Sequence, residues 1–238
     1  MIVDAHVHVT GKVYEAEQPR GVTDLLTAMD RAGIDVSLVM SLSLEDNASV
    51  LAAGRAHCDR LKSFVVPVIG PETEGQVAQA ASAQQVAGLG EFYVRCGSAQ
   101  LPDVYLKPVL AAARTQGLPV MLHTGDFSYT APALMERMVR QNPEVTFILA
   151  HMGSLSFVSD AIEVARRYRN VYLETSGMPS AAMLRRAVAE CGPQRLLFGS
   201  DYPFWNPELE KARIESAGLN PGVERMVLGE NAVQLFRL

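Results

Sequence analysis

Asp4-Ala5-His6-Val7-His8 stands near the start of the chain, inside a segment, Ile2 to Val9, that alternates apolar and polar residues with period two. That period marks a β-strand. On a strand, residues i and i+2 project to one face, so Asp4, His6 and His8 share a side and the two imidazoles can hold one divalent cation. Neutral imidazoles suit zinc, iron, nickel or manganese. An edge strand can carry such a polar face without any metal, so the meaning of the stretch depends on what the rest of the chain brings to it.

Outward from this strand, β-rich apolar runs recur: Val36–Ser41, Phe64–Val68, Ala87–Phe92, Val120–His123, Thr146–Ala150, Val171–Glu174 and Leu196–Gly199. Most are almost continuously apolar, as strands buried on both faces are. Between them lie helical patterns at Thr23–Ala32, Asn47–Cys58, Glu74–Ala83, Val104–Gln116, Ala133–Asn142, Val158–Tyr168, Ser180–Cys191 and Glu208–Ser216. Thr23 and Asn47 are candidate N-caps, Pro179-Ser180 opens the seventh helix, and Gly33, Gly117 and Gly192-Pro193 close three of them. Eight strands, each followed by a helix, predict a (β/α)₈ TIM barrel spanning residues 1–238 as a single domain. An open doubly wound sheet is the rival, but no strand is followed by a Gly-x-Gly-x-x-Gly or P-loop pattern. The tail from Gly222 is expected to form a short helix, a Gly229-Glu230-Asn231 turn and a last amphipathic turn that plugs or flanks the barrel.

Composition narrows the function classes. The 238 residues are 48% hydrophobic and 20% charged, with a net charge of −5, which suits a soluble domain with a sizeable core. No Lys/Arg-rich run is present, so neither nucleic acid nor an anionic membrane is the expected partner; a small molecule is. Cys58, Cys96 and Cys191 are widely spaced and odd in number, which reads as reduced thiols in a cytoplasmic protein. The chain runs straight into a strand bearing Asp and His, so no signal peptide is expected. No apolar run approaches the roughly 18 residues of a membrane span. A homo-oligomer is compatible with the sequence.

In a barrel of this kind chemistry sits where strands end and βα loops begin. His6 and His8, Glu91, His123, His151 and Asp201 fall at the ends of strands one, four, five, six and eight. The last four follow apolar runs, where an unpaired polar group is costly. Six ligand-type residues on one rim predict a centre for one or two divalent cations, zinc first, with manganese or nickel as alternatives. His57 lies within a helix and receives no role.

With these residues in place, Asp-x-His-x-His, the strand-end Glu, His and His, and Gly199-Ser200-Asp201-Tyr202-Pro203 resemble the amidohydrolase superfamily. His151-Met152-Gly153 and Leu228-Gly229-Glu230-Asn231-Ala232 are similar to its amidohydrolase-related branch of decarboxylases and lactonases. Gly90-Glu91 instead resembles the TatD-like deoxyribonucleases and metallohydrolases, in which a glutamate bridges two metals. No lysine ends a strand here, so the carbamylated lysine of many binuclear members has no counterpart. The resemblance implies two schemes. In one, His6, His8 and Asp201 hold a first cation, His123 and His151 a second, and Glu91 bridges, giving a hydrolase of an ester, lactone, amide or phosphoester. In the other, His6, His8, His123 and Asp201 hold one metal, His151 moves protons, and the enzyme is a decarboxylase of a small carboxylic acid. A TatD-like nuclease, or a barrel that binds metal without turnover, are further alternatives. Asp201 and His151 are the expected catalytic side chains. Arg95, Tyr202 and Trp205 are expected to bind substrate, and Glu174 to contact substrate or a neighbouring loop. Asp4 is expected to orient a histidine or to make a strand hydrogen bond.

Overall fold

A computed structural model describes residues 1–9, 21–82, 86–93, 104 and 106–238. Eight parallel strands, β1 (Val3–His8), β2 (Val36–Met40), β3 (Leu61–Val65), β4 (Val86–Phe92), β5 (Val120–Leu122), β6 (Phe147–Leu149), β7 (Val171–Glu174) and β8 (Leu196–Leu197), pair in sequence order. The described helices between them are α1 (Val22–Ala32), α2 (Asn47–Ala56), α3 (Thr73–Ser82), α4 (Lys107–Gln116), α5 (Glu136–Gln141), α6 (Ser154–Arg167), α7 (Ala181–Cys191) and α8 (Pro207–Glu215). β8 is only two residues long. The segment after it closes the barrel: Ala5 N–H donates to the Phe198 carbonyl (2.8 Å), Asp201 N–H to that of His6 (2.7 Å) and His8 N–H to that of Tyr202 (2.7 Å). The result is the (β/α)₈ barrel.

Two apolar layers follow from strand alternation. Val7, Val39, Leu89, Leu122 and Leu149 face the helices, while Ala5, Leu38, Met40, Phe64, Met121 and Ile148 fill the barrel interior. The tail seals the end of that interior opposite the strand C-termini. Residues Pro221–Arg225 form α9, Met226–Glu230 a π-helical turn and Asn231–Phe236 α10. Phe236 packs edge-on to Phe64 at 5.8 Å, and the Asn231 amide donates to the Pro193 and Leu196 carbonyls at 2.8 Å each. The tail therefore plugs the barrel. The turn expected at Gly229-Glu230-Asn231 is instead continuous helix, because the Asn231 side chain is spent on the strand β8 entry and glycine at 229 allows the backbone to lie against Met1.

Local differences from the sequence reading have side-chain causes. β3 begins and ends three residues early. Lys62 and Ser63 enter the strand because Nζ reaches the Cys58 carbonyl and Oγ the Val50 carbonyl. The strand ends because Asn47 takes both backbone groups of Val66, at 2.8 and 3.0 Å. That same pairing removes Asn47 from capping α2. Thr23 lies within α1, whose N-cap is Gly21, with its N–H donating to Asp24. Ser180 does cap α7, accepting from Met183 N–H.

Candidate metal centre

β1 delivers His6 and His8 to the barrel mouth with almost no exposure of either side chain. His6 Nδ1–H donates to Glu174 Oε2 (2.9 Å) and His8 Nδ1–H to the Met40 carbonyl (3.2 Å). Each ring thus spends one nitrogen on the protein and turns Nε2 to the mouth, and the two Nε2 atoms lie 3.1 Å apart. Asp201 Oδ1 stands 3.1 Å from His8 Nε2 and 3.6 Å from His6 Nε2. Three acceptor atoms at this spacing repel unless a cation or proton sits among them. Ligands at about 2.1 Å in a tetrahedral shell would be roughly 3.4 Å from one another, so the set fits a divalent ion.

A second group lies beside the first. His123 Nε2–H donates to Asp126 (2.9 Å), leaving Nδ1 at 2.8 Å from Glu91 Oε1 and 3.2 Å from His151 Nε2. His151 Nδ1–H donates to Ser176 Oγ (2.9 Å), and its Nε2 lies 3.4 Å from Glu91 Oε1. The other oxygen, Glu91 Oε2, faces His6 Nε2 at 3.3 Å and His8 Nε2 at 3.8 Å. Glu91 therefore addresses one group with each oxygen. His6, His8 and Asp201 form one set that could hold a metal, and Glu91, His123 and His151 another.

Backbone geometry serves this convergence. His151 and Asp201 both have left-handed backbone, with φ of 61° and 55°, a conformation that costs a non-glycine residue about 1–3 kcal/mol. Thr124 steadies the first by donating to the Ala150 carbonyl and accepting from Gly153 N–H, and the Asp201 N–H bond to His6 steadies the second. At Gly90, φ is 116° and a Cβ would lie 2.5 Å from the Met121 carbonyl oxygen, so only glycine allows β4 to present Glu91 there.

The charges are mutually dependent. Burial alone would depress His6, but Glu91, Asp201 and Glu174 reverse this and carry its pKa well above the ordinary histidine value. His123 is likewise raised to about 9, against burial, by Glu91 and Asp126. Burial would raise Glu91, yet His6 and His123 hold it well below the usual carboxylate range. Asp201 and Glu174 are lowered in the same way, against burial, by the histidines. A cluster that binds positive charge this strongly suits metal cations.

All six sequence-predicted ligands meet at one mouth. Above them opens a cavity of about 990 Å³, walled by Leu42, Phe127, Phe204 and Trp205. Trp205 is among the residues that line it. Tyr202 is not: it is buried, its backbone pairs with β1, and it borders a smaller adjoining cavity. Arg95 lies outside the described residues. Glu174 does not line the cavity; wholly buried beneath His6, it does reach a neighbouring loop, accepting from the His151 N–H just beyond β6 at 3.2 Å. Asp4 accepts from His6 N–H, Ser200 N–H and Ser200 Oγ–H, tying β1 to the end of β8. Burial raises its pKa to about 7 despite the Ser200 bonds. Sequence reasoning missed Asp126 and Ser176. Both stand one short step beyond a strand-end polar residue, His123 and Glu174, and that spacing was the available signal.

The family model described as Amidohydrolase matches residues 3–238. The chain belongs to the amidohydrolase family. Solved structures share the fold of this amidohydrolase. A 2-pyrone-4,6-dicarboxylic acid hydrolase, so named as putative, from Pseudomonas putida aligns with a TM-score of 0.80 at 20% identity, covering 99% of this chain and 97% of that one. The 5-carboxyvanillate decarboxylase of Sphingomonas paucimobilis aligns at 0.77 and 18%, covering 100% and 99%. A dihydroxybenzoic acid decarboxylase from Polaromonas, solved with manganese bound, aligns at 0.76 and 16%, covering 100% and 96%. Among the described residues, no helix of this amidohydrolase is long and apolar enough to cross a membrane.

Proposed function

We propose that this amidohydrolase is a metal-dependent hydrolase with two cations per chain, acting on a small ester, lactone, amide or phosphoester. One observation carries the reading: the two Glu91 oxygens face two separate ligand groups, 2.8 Å from His123 on one side and 3.3 Å from His6 on the other. His6, His8 and Asp201 would hold one ion, His123 and His151 the other, with Glu91 between them. Zinc fits this nitrogen-rich set, and manganese is compatible with it. Bound there, such ions supply a water activated near neutral pH and a Lewis acid for the substrate oxygen. Asp201 lies at the cavity edge beside His8, placed to accept a proton from the attacking water and return it to the leaving group. Leu42, Phe127, Phe204 and Trp205 would exclude solvent and seat an apolar part of the substrate.

A decarboxylase reading is favoured by the likeness to two decarboxylase structures, and it needs only one metal. The two separate in one assay. Zinc- or manganese-loaded protein is offered aryl esters, lactones and phosphodiesters, and in parallel aromatic acids with CO₂ release followed. Hydrolysis is expected. In Glu91→Gln protein it should fall by at least about 100-fold as the paired site is broken. Release of CO₂ with no hydrolysis would replace this function with the second.

A further inference from the structure

Glu174 ends β7 with no solvent exposure, and both its oxygens are engaged. Oε2 accepts from His6 Nδ1–H (2.9 Å), from the backbone N–H of His151 (3.2 Å) and from Ser176 Oγ–H (2.8 Å). Oε1 accepts from Ser176 N–H. Ser176 Oγ in turn accepts from His151 Nδ1–H at 2.9 Å. Gly199 leaves the space: a Cβ there would collide with the Glu174 carboxylate. Four donors surround this acceptor-only group, three of them on Oε2, so hydrogen bonding occupies most of it, although it also lies close enough to His6 and His151 to form a third ligand group with them. The two histidines it reaches belong to different ligand groups, His6 to the set with His8 and Asp201, His151 to the set with Glu91 and His123.

We propose that Glu174, with Ser176 as relay, is a positioning residue shared by both halves of the centre, fixing His6 and His151 with Nδ1 protonated and Nε2 turned to the metal side. This rests on the metal-centre reading, and it adds that the affinities of the two sites are linked through one carboxylate. Hydrogen-bonded partners of this kind set ligand orientation and basicity, and their loss typically costs about 10- to 100-fold in metal affinity. A glutamine at 174 would present an NH₂ where donors already point, so at least one of the four contacts would become donor against donor. Ser176→Ala cuts only the relay to His151.

Chelator-stripped protein is titrated with Zn²⁺ against a chromophoric chelator, and the imidazole protons of the stripped protein are followed by ¹H–¹⁵N NMR. Glu174→Gln should weaken both sites by about 10- to 100-fold. Ser176→Ala should weaken one site and leave the other within about twofold. In the spectra, slowly exchanging Nδ1–H protons of His6 and His151 should be present in the wild type, with only the His151 proton lost in Ser176→Ala. A Glu174→Gln protein weakened at one site alone, a Ser176→Ala protein weakened equally at both or at neither, or a wild type without these protons would overturn the proposal. If Glu174→Gln fails to fold, the Ser176→Ala comparison decides. If the wild type binds no zinc, the metal reading fails while the NMR result still decides the histidine positioning.

Discussion

Each of the four mouth histidines gives one ring nitrogen to the protein and one to the cavity, and the pattern differs in one place. His6, His8 and His151 donate from Nδ1, whereas His123 donates from Nε2 to Asp126. Asp126 is half exposed, with its pKa lowered chiefly by that bond. Asp126→Ala should weaken one metal site by about 10-fold or more and leave the other unchanged, as read by zinc titration. Protonation gives a second handle on the stripped protein. His123 is raised from 6.5 to about 9, so its contribution to stability is complete below about pH 6.5 and is lost as pH rises through 9. Asp4, raised from 3.8 to about 7, contributes below its ordinary value and is lost as pH rises through 7. The melting temperature of EDTA-stripped protein should therefore fall between pH 6.5 and 9, and metal should restore it most at the upper end. A melting temperature that rises across this window contradicts the charge assignment.

At the scale of strands and helices, the sequence is legible where an apolar run stops on a ligand. β4, β5 and β6 carry three to five buried residues each, with Glu91, His123 and His151 at or just beyond their ends, and the alternation in β1 puts two histidines on one face. What escaped the reading depended on contacts made across the chain. Val66 leaves β3 because Asn47, nineteen residues earlier, captures its backbone. The closure of the barrel lies beyond β8 as such, in single bonds from β1 to residues 198–202. Glu174 looked like a rim residue because no local pattern shows that His6 lies over it. The presentation of Glu91 is testable here. Gly90→Ala must force a Cβ against the Met121 carbonyl at positive φ, at a cost of about 1–3 kcal/mol, with a lower denaturation midpoint and fewer bound ions. α2 stops at Ala56, short of the expected Cys58, so His57 caps it and Cys58 lies in the turn beyond; both are away from the mouth, and His57→Ala and Cys58→Ser should leave turnover unchanged within about twofold. A large fall in kcat with folding preserved would mean that the helix-side assignment is wrong.

Across the whole molecule the two ends of the barrel are divided between stability and chemistry. At the sealed end, α10 lays Ala232, Val233, Leu235 and Phe236 on the interior cluster. Phe236→Ala should cost roughly 2–4 kcal/mol, somewhat less than a fully buried phenylalanine because Phe236 is partly exposed, with metal content unchanged in the folded fraction. At the open end, every exposed large apolar side chain among the described residues other than Met1 lies in a βα connection or the first turn of the helix after it. Apolar surface concentrated around a cavity marks a binding mouth, and beneath it Glu91 stands between two ligand groups. The most direct test of that arrangement is the metal content of the purified wild-type chain after saturation with zinc and with manganese and removal of loosely bound ion. Two metals per chain are predicted, falling to about one in Glu91→Gln. A wild type that never exceeds one metal per chain under either ion would contradict the paired centre and leave Glu91 as a hydrogen-bonding neighbour of a single site.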